Sequence, residues 1–320
     1  MLIGPTAVGK TALSLELAKY MPIEIISGDS MQVYRGMDIG TGKATLEERS
    51  IVPHHMIDIR DPDEPFSVTE FKQQAQELIT AINERGNIPL IVGGTGLYIE
   101  SVCYDYGFSR AAIDEPFREK LRQEATTKGT QALHRKLEQL DAEAASRIHP
   151  NDLRRIIRAL EVIHQTGESF SSYQKKAKKE SPYQLCIICL TMDRQLLYKR
   201  IEERIDNMLE QGWLEEVEVL RKNGYTKETV SMQALGYKEL DQYLDGQLEY
   251  DEAVQLIKRN TRRFAKRQLS WFRHMKDVHW VDVTDAVFNP EHKDKILREI
   301  VAIAAGKLMI DEEYTKQRFL

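Results

Sequence analysis

The residues most able to do chemistry begin with a glycine-rich loop at residues 4–11, with the sequence GPTAVGKT. This sequence fits the pattern G-x-x-x-x-G-K-[ST] in full, with a short apolar run before it and a helical pattern after it. In such a loop the backbone N–H groups surround phosphate oxygens, the lysine adds a positive charge, and the final hydroxyl can bind Mg²⁺. The pattern predicts a phosphate site but leaves open which phosphate compound binds. The residues of this site are Gly4, Pro5, Thr6, Ala7, Val8, Gly9, Lys10 and Thr11.

A carboxylate, Asp29, follows the next strand-like run at residues 23–27. In open α/β sheets ligands bind beyond the carboxyl ends of the strands, so we expect Asp29 near the phosphates. A carboxylate at that place can hold Mg²⁺, directly or through water, or it can accept a proton. The alternative is a structural cap, because Asp is favoured in turns of this kind.

Two further glycine-rich segments follow. Residues 36–43 (GMDIGTGK) combine three glycines with a threonine and a lysine, which suggests a second anion contact made by backbone N–H groups, or simply a loop. Residues 93–98 (GGTGLY) come at the end of a strand-like run, where their glycines allow close backbone approach and Thr95 offers a hydroxyl. Both segments are expected on the ligand side of the sheet.

Two basic segments could hold a nucleic acid. The formal net charge is −5, yet residues 258–276 contain eight Lys or Arg and no Asp or Glu. On a helix, Arg259, Arg263, Lys266 and Arg267 can share a face, with Phe264, Trp271 and Phe272 interleaved. Phosphate contacts with base stacking are one interpretation, and a solvated face over packed aromatic residues is the other. The expected RNA contacts are Arg262, Arg263, Lys266 and Arg267 here, and Arg154, Arg155 and Arg158 in the second segment.

The elements that must position these residues follow an α/β pattern. Short β-branched runs alternate with helical patterns over the first hundred residues, only helical patterns appear from about residue 114 to 180, and strand patterns then return. This order predicts a P-loop NTPase-like parallel sheet with helices on both faces and an inserted all-helical subdomain. The expected domains are 1–112 with 183–320, and 113–182. Strands are predicted at residues 1–3, 23–27, 56–59, 88–92, 184–191 and 278–283, with helices at 11–21 and 68–85.

The composition fits a globular protein of one large or two modest domains. Of the 320 residues 42% are hydrophobic, no window approaches 18 consecutive apolar residues, and no signal peptide is recognisable. Three cysteines are too few for a disulfide framework, and alternation along an apolar strand would send Cys186 and Cys189 to opposite faces. We therefore expect a cytoplasmic protein without a membrane segment.

Together these motifs resemble those of tRNA dimethylallyltransferases, the isopentenyltransferases that modify the adenosine next to the anticodon. The resemblance runs in the family's order from about residue 4 to 280. A glycine stands at position 42, where the family more often has alanine, and such a change is expected to be tolerated in a loop. The matching segments are GPTAVGKT (4–11), ISGDSMQVYRGMDIGTGK (26–43), PHHMIDIRDP (53–62), GGTGLYI (93–99), HPNDLRRIIRALEV (149–162), QALGYKE (233–239) and KRQLSWFR (266–273).

The resemblance implies a reaction. The donor would be dimethylallyl diphosphate, held with Mg²⁺ by the P-loop through Thr11, and the acceptor would be N6 of the adenosine in tRNAs that read codons beginning with U. Asp29 matches the family's general base, and Arg204 matches an arginine that steadies the diphosphate, although a solvated helix arginine is the alternative. The partner would be a tRNA anticodon stem-loop, and the protein would be a monomer. The residues matching family contacts to tRNA are Asp29, Ser30, Met31, Gln32, Thr95 and Arg118.

Other functions remain open at this point. An adenylate isopentenyltransferase, which prenylates AMP or ATP, shares the loop and the base but needs neither two basic segments nor a helical insertion. A P-loop small-molecule kinase would require ATP. An RNA-binding ATPase switch would bind both ligands without covalent transfer.

Overall fold

The computed structural model describes residues 1–104, 114–176 and 181–308. The chain separates into two compact units. The α/β unit comprises Met1–Cys103 with Tyr183–Leu320, and the helical unit comprises Tyr104–Pro182. The domain boundary expected between residues 112 and 113 lies outside the described residues.

The α/β unit is built on a six-stranded, wholly parallel sheet. The strand order is β3-β2-β4-β1-β5-β6, so the two-residue strand β1 lies between β4 and β5. In register, Leu2 pairs with Val92 on one side and with Ile188 on the other. The strands are β1 (Leu2–Ile3), β2 (Ile23–Ser27), β3 (His54–His55), β4 (Ile88–Gly93), β5 (Ile187–Thr191) and β6 (Val278–Asp282).

Two strand predictions need correction. The strand expected at residues 56–59 lies instead at His54–His55. Met56 and Asp58 have φ of 64° and 56°, a left-handed conformation that is incompatible with a strand. The strand expected from residue 184 begins at Ile187, so Cys186 precedes it and only Cys189 lies within it.

Helices cover both faces of the sheet, as predicted. Alternation along the strands divides the buried side chains. Leu2 and Ile25 belong to a core formed with the helices at Lys10–Leu17, Arg194–Glu210 and Pro290–Leu308, whereas Ile3 and Ile26 are buried outside that cluster. Parallel sheets covered on both faces have such continuously apolar strands. The helices of this unit are α1 (Lys10–Leu17), α2 (Leu46–Ile51), α3 (Val68–Glu84), α4 (Gly96–Cys103), α10 (Arg194–Glu210), α11 (Trp213–Lys222), α12 (Tyr237–Leu244), α13 (Tyr250–Phe272) and α14 (Pro290–Leu308), with short 3₁₀ helices at Ser231–Gln233 and Asp285–Val287.

Helix α3 shows how local sequence sets an element. The Ser67 side chain accepts a hydrogen bond from the backbone N–H of Glu70, and the Glu70 carboxylate accepts one from the backbone N–H of Ser67. This reciprocal pair satisfies two N–H groups that the first turn of a helix leaves free. The helix predicted from this capping box is confirmed over Val68–Glu84.

The helical unit has a core of its own. Helices α5, α6 and α8 contribute Leu121, Leu133, Leu137, Ile156 and Leu160, all at most 2% exposed. Its helices are α5 (Glu115–Lys128), α6 (Thr130–Leu140), α7 (Ala142–Arg147), α8 (Leu153–Thr166) and α9 (Phe170–Lys176). Across residues 1–104, 114–176 and 181–308, no helix combines the length and the hydropathy that a membrane crossing requires.

Candidate active site

The phosphate loop, residues 4–11, leaves the end of β1 and enters α1. Gly4 packs so closely that a Cβ there would lie 2.7 Å from the Leu190 carbonyl oxygen. Ala7 and Gly9 have φ of 65° and 104°, so the chain turns through left-handed conformations before α1 begins at Lys10. This strand–loop–helix arrangement is the one that the sequence pattern requires for binding a phosphate.

Lys10 supplies a positive charge within the phosphate loop. Its ammonium donates hydrogen bonds to the carbonyl oxygens of Gly4 and Pro5, at 3.0 and 2.7 Å. Burial of the ammonium, together with the nearby guanidinium of Arg204, lowers the pKa of Lys10 to about 8, and the carboxylate of Asp29 opposes that shift. An anion bound beside the loop would favour the protonated form of Lys10.

The predicted catalytic residues Thr11, Asp29 and Arg204 line one pocket with Lys10. Oδ1 of Asp29 accepts a hydrogen bond from the Met31 backbone N–H at 2.8 Å, which orients the carboxylate at the end of β2. The pocket therefore combines charged side chains with apolar ones. The apolar lining consists of Ile25, Ala44, Ile57, Val92 and Phe264.

Arg204 is placed in this pocket by α10. Its guanidinium contacts the Thr6 hydroxyl at 3.5 Å. Burial lowers the pKa of Arg204, while the carboxylate of Asp29 acts in the opposite direction. The alternative of a solvated helix arginine therefore does not describe Arg204 in this structure.

The second glycine loop, residues 36–43, does bind a carboxylate through its backbone, but the carboxylate belongs to the protein. Glu216 on α11 accepts hydrogen bonds from the N–H groups of Asp38, Ile39 and Gly40, at 2.8, 2.8 and 3.2 Å. It also accepts one from the Tyr237 hydroxyl at 2.6 Å. The suggested anion contact is thus internal rather than a contact with a substrate.

Lys43, the lysine of the second glycine loop, is also engaged internally. Its side chain is 1% exposed, and its ammonium lies 2.5 Å from Asp38 and 2.6 Å from Asp58. It donates a third hydrogen bond, to the Tyr34 carbonyl oxygen at 2.7 Å. Lys43 therefore fixes the loop and is not directed to a ligand.

Gly42 of this loop is not a free loop position. It has φ of 58°, and a Cβ there would lie 1.8 Å from Nη2 of Arg204. An alanine in this conformation would require the guanidinium to move, so the glycine leaves room for Arg204. The carbonyl oxygens of Thr41 and Gly42 also accept hydrogen bonds from Gln32, at 3.3 and 3.4 Å.

Thr95 lies beside the residues that follow β2. Its hydroxyl accepts a hydrogen bond from the Ser30 backbone N–H at 3.1 Å and lies 3.5 Å from the Ser30 hydroxyl. The structure therefore brings together Ser30 and Thr95, two of the predicted tRNA contacts. Met31 and Gln32 follow directly, and Gln32 lines the pocket.

Two residues that the sequence reasoning missed hold the phosphate loop. Gln268 accepts a hydrogen bond from the Thr6 backbone N–H at 2.9 Å, and Arg200 donates one to the Ala7 carbonyl oxygen at 3.0 Å. Arg200 lies one helical turn before Arg204, a spacing that could have suggested a shared direction. Gln268 lies within the matching segment KRQLSWFR, but an uncharged glutamine gives no sign in the sequence that it contacts a phosphate loop.

The basic face of α13 is only partly free. Arg263, Lys266 and Arg267 are exposed, and Arg267 lies over the Phe264 ring at 5.8 Å. Arg262 is paired with Glu202 at 2.5 Å.

Of the three aromatic residues considered for base stacking, Phe272 is fully buried, so that interpretation is wrong for it. Trp271 is 37% exposed and donates a hydrogen bond to Glu100 at 3.0 Å. Its indole lies against Gly96, where a Cβ would come within 2.5 Å of the ring. Phe264 lines the pocket.

In the helical unit, Glu161 engages two of the predicted tRNA contacts. Glu161 is fully buried and accepts hydrogen bonds from Arg118 at 2.7 and 2.8 Å and from Arg158 at 2.5 Å. Arg154 and Arg155 are exposed on α8, and Arg155 lies 3.3 Å from Asp152. Arg118 and Arg158 thus stabilise the unit, while Arg154 and Arg155 face solvent.

Comparison with known proteins agrees with the resemblance seen in the sequence. The sequence pattern of a family described as IPP transferase matches residues 32–275. The tRNA dimethylallyltransferase of Geobacillus thermodenitrificans (strain NG80-2) is 50% identical over 311 residues, which cover 97% of each chain. That of Bacillus mycoides (strain KBAB4) is 49% identical over 99% of this chain and 97% of the relative.

Solved structures give the same picture. The full-length tRNA isopentenylpyrophosphate transferase from Bacillus halodurans is 49% identical, with a TM-score of 0.72 over 100% of this chain and 98% of that one. A eukaryotic dimethylallyltransferase acting on tRNA is 30% identical, with a TM-score of 0.77 over 90% of this chain and 74% of that one. Because the family pattern matches most of the sequence and the relatives are half identical over nearly all of it, the chain belongs to the IPP transferase family.

Proposed function

We propose that the protein transfers a dimethylallyl group from dimethylallyl diphosphate to N6 of the adenosine next to the anticodon of tRNA, with release of diphosphate. The observation that carries this proposal is the single pocket that Lys10, Thr11, Asp29 and Arg204 line together with apolar side chains. The names of the half-identical relatives support the same reaction.

The charged residues that line the pocket suit a diphosphate leaving group. When the allylic C–O bond breaks, its electron pair passes to the diphosphate oxygen. Lys10, Arg204 and the N–H groups of the phosphate loop are placed to neutralise the charge that develops there. Preorganised charges of this kind are often the largest single contribution to catalysis.

Asp29 is the base in this proposal. The N6 amine of adenine is a poor nucleophile because its lone pair is delocalised into the ring. As the lone pair forms the new N–C bond, the amine must lose a proton. Asp29 would accept it, since its Oδ1 is oriented by the Met31 N–H while the carboxylate lines the pocket beside Lys10 and Arg204.

Magnesium fits this site only as a partner of the diphosphate. Among the described residues, no three His, Cys, Asp or Glu side chains group together as a metal site. Mg²⁺ commonly keeps several waters and takes one or two protein ligands with substrate phosphates, and the Thr11 hydroxyl and the Asp29 carboxylate offer such ligands. A bound ion would add positive charge against the leaving diphosphate.

The acceptor RNA would contact the exposed basic side chains. On α13 these are Arg259, Arg263, Lys266 and Arg267, and on α8 they are Arg154 and Arg155. The target base would have to leave the anticodon-loop stack to reach the pocket. We therefore assign Arg118, Arg158 and Arg262, whose charges are paired within the protein, to positioning the RNA surface rather than to phosphate contact.

The test of this proposal is a transfer assay with the full-length protein, Mg²⁺ and dimethylallyl diphosphate labelled in the dimethylallyl group. The acceptors are an anticodon stem-loop and AMP. We expect label on the stem-loop, with one diphosphate released per transfer. Label on AMP alone would identify an adenylate isopentenyltransferase, and a requirement for ATP with formation of ADP would identify a kinase.

The role of Asp29 is tested separately. Asp29→Ala should abolish transfer while leaving stem-loop binding near normal, because the base is lost and the RNA surface is kept. Asp63→Ala, at an exposed position, is the matched control. An equal loss of RNA binding in Asp29→Ala would mean that Asp29 is structural.

A further inference from the structure

Gln268 uses both ends of its side-chain amide inside the protein. On α13 it is 5% exposed; its Oε1 accepts from the Thr6 backbone N–H at 2.9 Å, and its Nε2 donates to the Gly94 carbonyl oxygen at 2.9 Å. These partners are 262 and 174 residues away in the chain. One buried side chain therefore joins the phosphate loop, the turn after β4 and helix α13.

Gly94 makes room for this contact. A Cβ at position 94 would lie 2.2 Å from Nε2 of Gln268 and 3.4 Å from the Gly4 carbonyl oxygen. A side chain there would displace the amide of Gln268. The contact made by Gln268 therefore depends on a glycine at position 94. Both residues line the pocket.

The contact controls the part of the phosphate loop that meets Arg204. The Thr6 N–H is bound to Gln268 and is not directed to an anion, while the Thr6 hydroxyl contacts Arg204 at 3.5 Å. This hydrogen bond is partly buried, and an N–H there that loses its acceptor is unfavourable, so the loop would rearrange without Gln268. Such a rearrangement would move the loop relative to the guanidinium.

We propose that Gln268 is a positioning residue for the diphosphate: it holds Thr6 so that the phosphate loop and Arg204 bind the diphosphate together. This inference rests on the proposed function, since it concerns the same site. It predicts that loss of Gln268 weakens diphosphate binding without weakening RNA binding, because the exposed cations of α13 are unchanged.

The experiment titrates inorganic pyrophosphate with MgCl₂ into the full-length protein by calorimetry and compares wild type with Gln268→Met, which has a similar shape but no amide. Gln255→Met, at an exposed position of α13, is the matched control. We expect the pyrophosphate Kd of Gln268→Met to rise about tenfold, in keeping with one lost buried hydrogen-bond acceptor. The KM for dimethylallyl diphosphate should rise with it, and the stem-loop Kd should stay within twofold.

Gly94→Ala provides a second variant, which displaces the same amide while keeping Gln268. It should show the same rise in pyrophosphate Kd. If Gln268→Met does not fold, the comparison is made with Gly94→Ala instead. A lower melting temperature with a wild-type pyrophosphate Kd in both variants would overturn the inference, since Gln268 would then only stabilise the fold. Equal weakening of pyrophosphate and stem-loop binding would also overturn it. Failure of the wild-type protein itself to bind pyrophosphate would instead contradict the proposed function.

Discussion

The phosphate loop and the second glycine loop share a pattern, glycines followed by a lysine, but they do different things. In the first, Lys10 lines a pocket with Asp29 and Arg204. In the second, Glu216 occupies the backbone N–H groups, and Lys43 is buried against aspartates. The second loop binds a carboxylate of the protein itself, and the first is proposed to bind diphosphate, as glycine-rich turns often bind anions. Residues far away in the chain distinguish the two loops: Glu216 occupies the second loop, and Arg204 lines the pocket beside the first.

The two loops should differ most in how activity responds when the lysine of each loop, Lys10 or Lys43, is replaced. Lys10→Met removes a positive charge from the diphosphate site, and we expect transfer to fall by about 10²–10³-fold, the range seen when one stabilising group is lost. The melting temperature should change little, because removal of an unfavourably buried charge offsets the loss of its hydrogen bonds to the Gly4 and Pro5 carbonyl oxygens. Rates with the labelled donor and a melting curve check this, with exposed Lys222→Met as the control.

Lys43→Met should lower the stability of the protein rather than abolish its binding of pyrophosphate. It leaves Asp38 and Asp58 without the buried ammonium that holds them together. We expect a loss of about 2–4 kcal/mol in the free energy of unfolding, near the lower end for a broken buried ion pair because both carboxylates are partly exposed. Denaturant unfolding measures it. If Lys43→Met kept its stability but lost pyrophosphate binding, Lys43 would belong to the ligand site, and its structural role would be contradicted.

Replacing the internal anion gives a smaller effect. Glu216→Gln removes the charge that three N–H groups and the Tyr237 hydroxyl share, and its NH₂ group cannot accept from them. We expect a loss of about 1–3 kcal/mol in unfolding free energy. The neighbouring exposed Glu215→Gln is the control. Equal stability of the two variants would show that the second glycine loop does not depend on its anion.

The smallest expected effect is on pH dependence. The pKa of Lys10 is about 8 in the folded protein, below its unfolded value of 10.5, so the buried ammonium destabilises the fold below pH 8 and this cost disappears as pH rises from 8 to 10.5. Pyrophosphate favours the ammonium, so its affinity should fall above pH 8, by at most about tenfold per pH unit. Calorimetry between pH 7 and 9.5 measures this. Lys10→Met should lack the dependence, and a flat wild-type profile would contradict the assignment.

The parts of the structure that the sequence predicted are those fixed by neighbours in the chain. The phosphate loop and the capping box of Ser67 and Glu70 both follow from short patterns with a physical cause. The strand lies at His54–His55 rather than at 56–59 because Met56 and Asp58 are left-handed, and a methionine gives no sequence signal for that conformation. Neither residue is a glycine, which is the usual mark of that conformation.

The parts that escaped prediction depend on partners distant in the chain. Glu216 reaches a loop 176 to 178 residues before it, and Arg118 pairs with Glu161 43 residues later. An exposed arginine and a paired one look alike in a sequence, so Arg118 and Arg154 could not be told apart. The role expected of Arg204 came from the family resemblance alone. Its contact with Thr6 and its closeness to Gly42 are visible only in the structure.

The comparison of the two loops is tested most directly by titrating pyrophosphate with MgCl₂ into Lys10→Met and Glu216→Gln beside the wild-type protein. We expect one pyrophosphate per wild-type chain, no measurable binding in Lys10→Met, and a Kd in folded Glu216→Gln within a few-fold of wild type. Retained binding in Lys10→Met together with lost binding in folded Glu216→Gln would mean that the second glycine loop is the diphosphate site and would overturn the assignment.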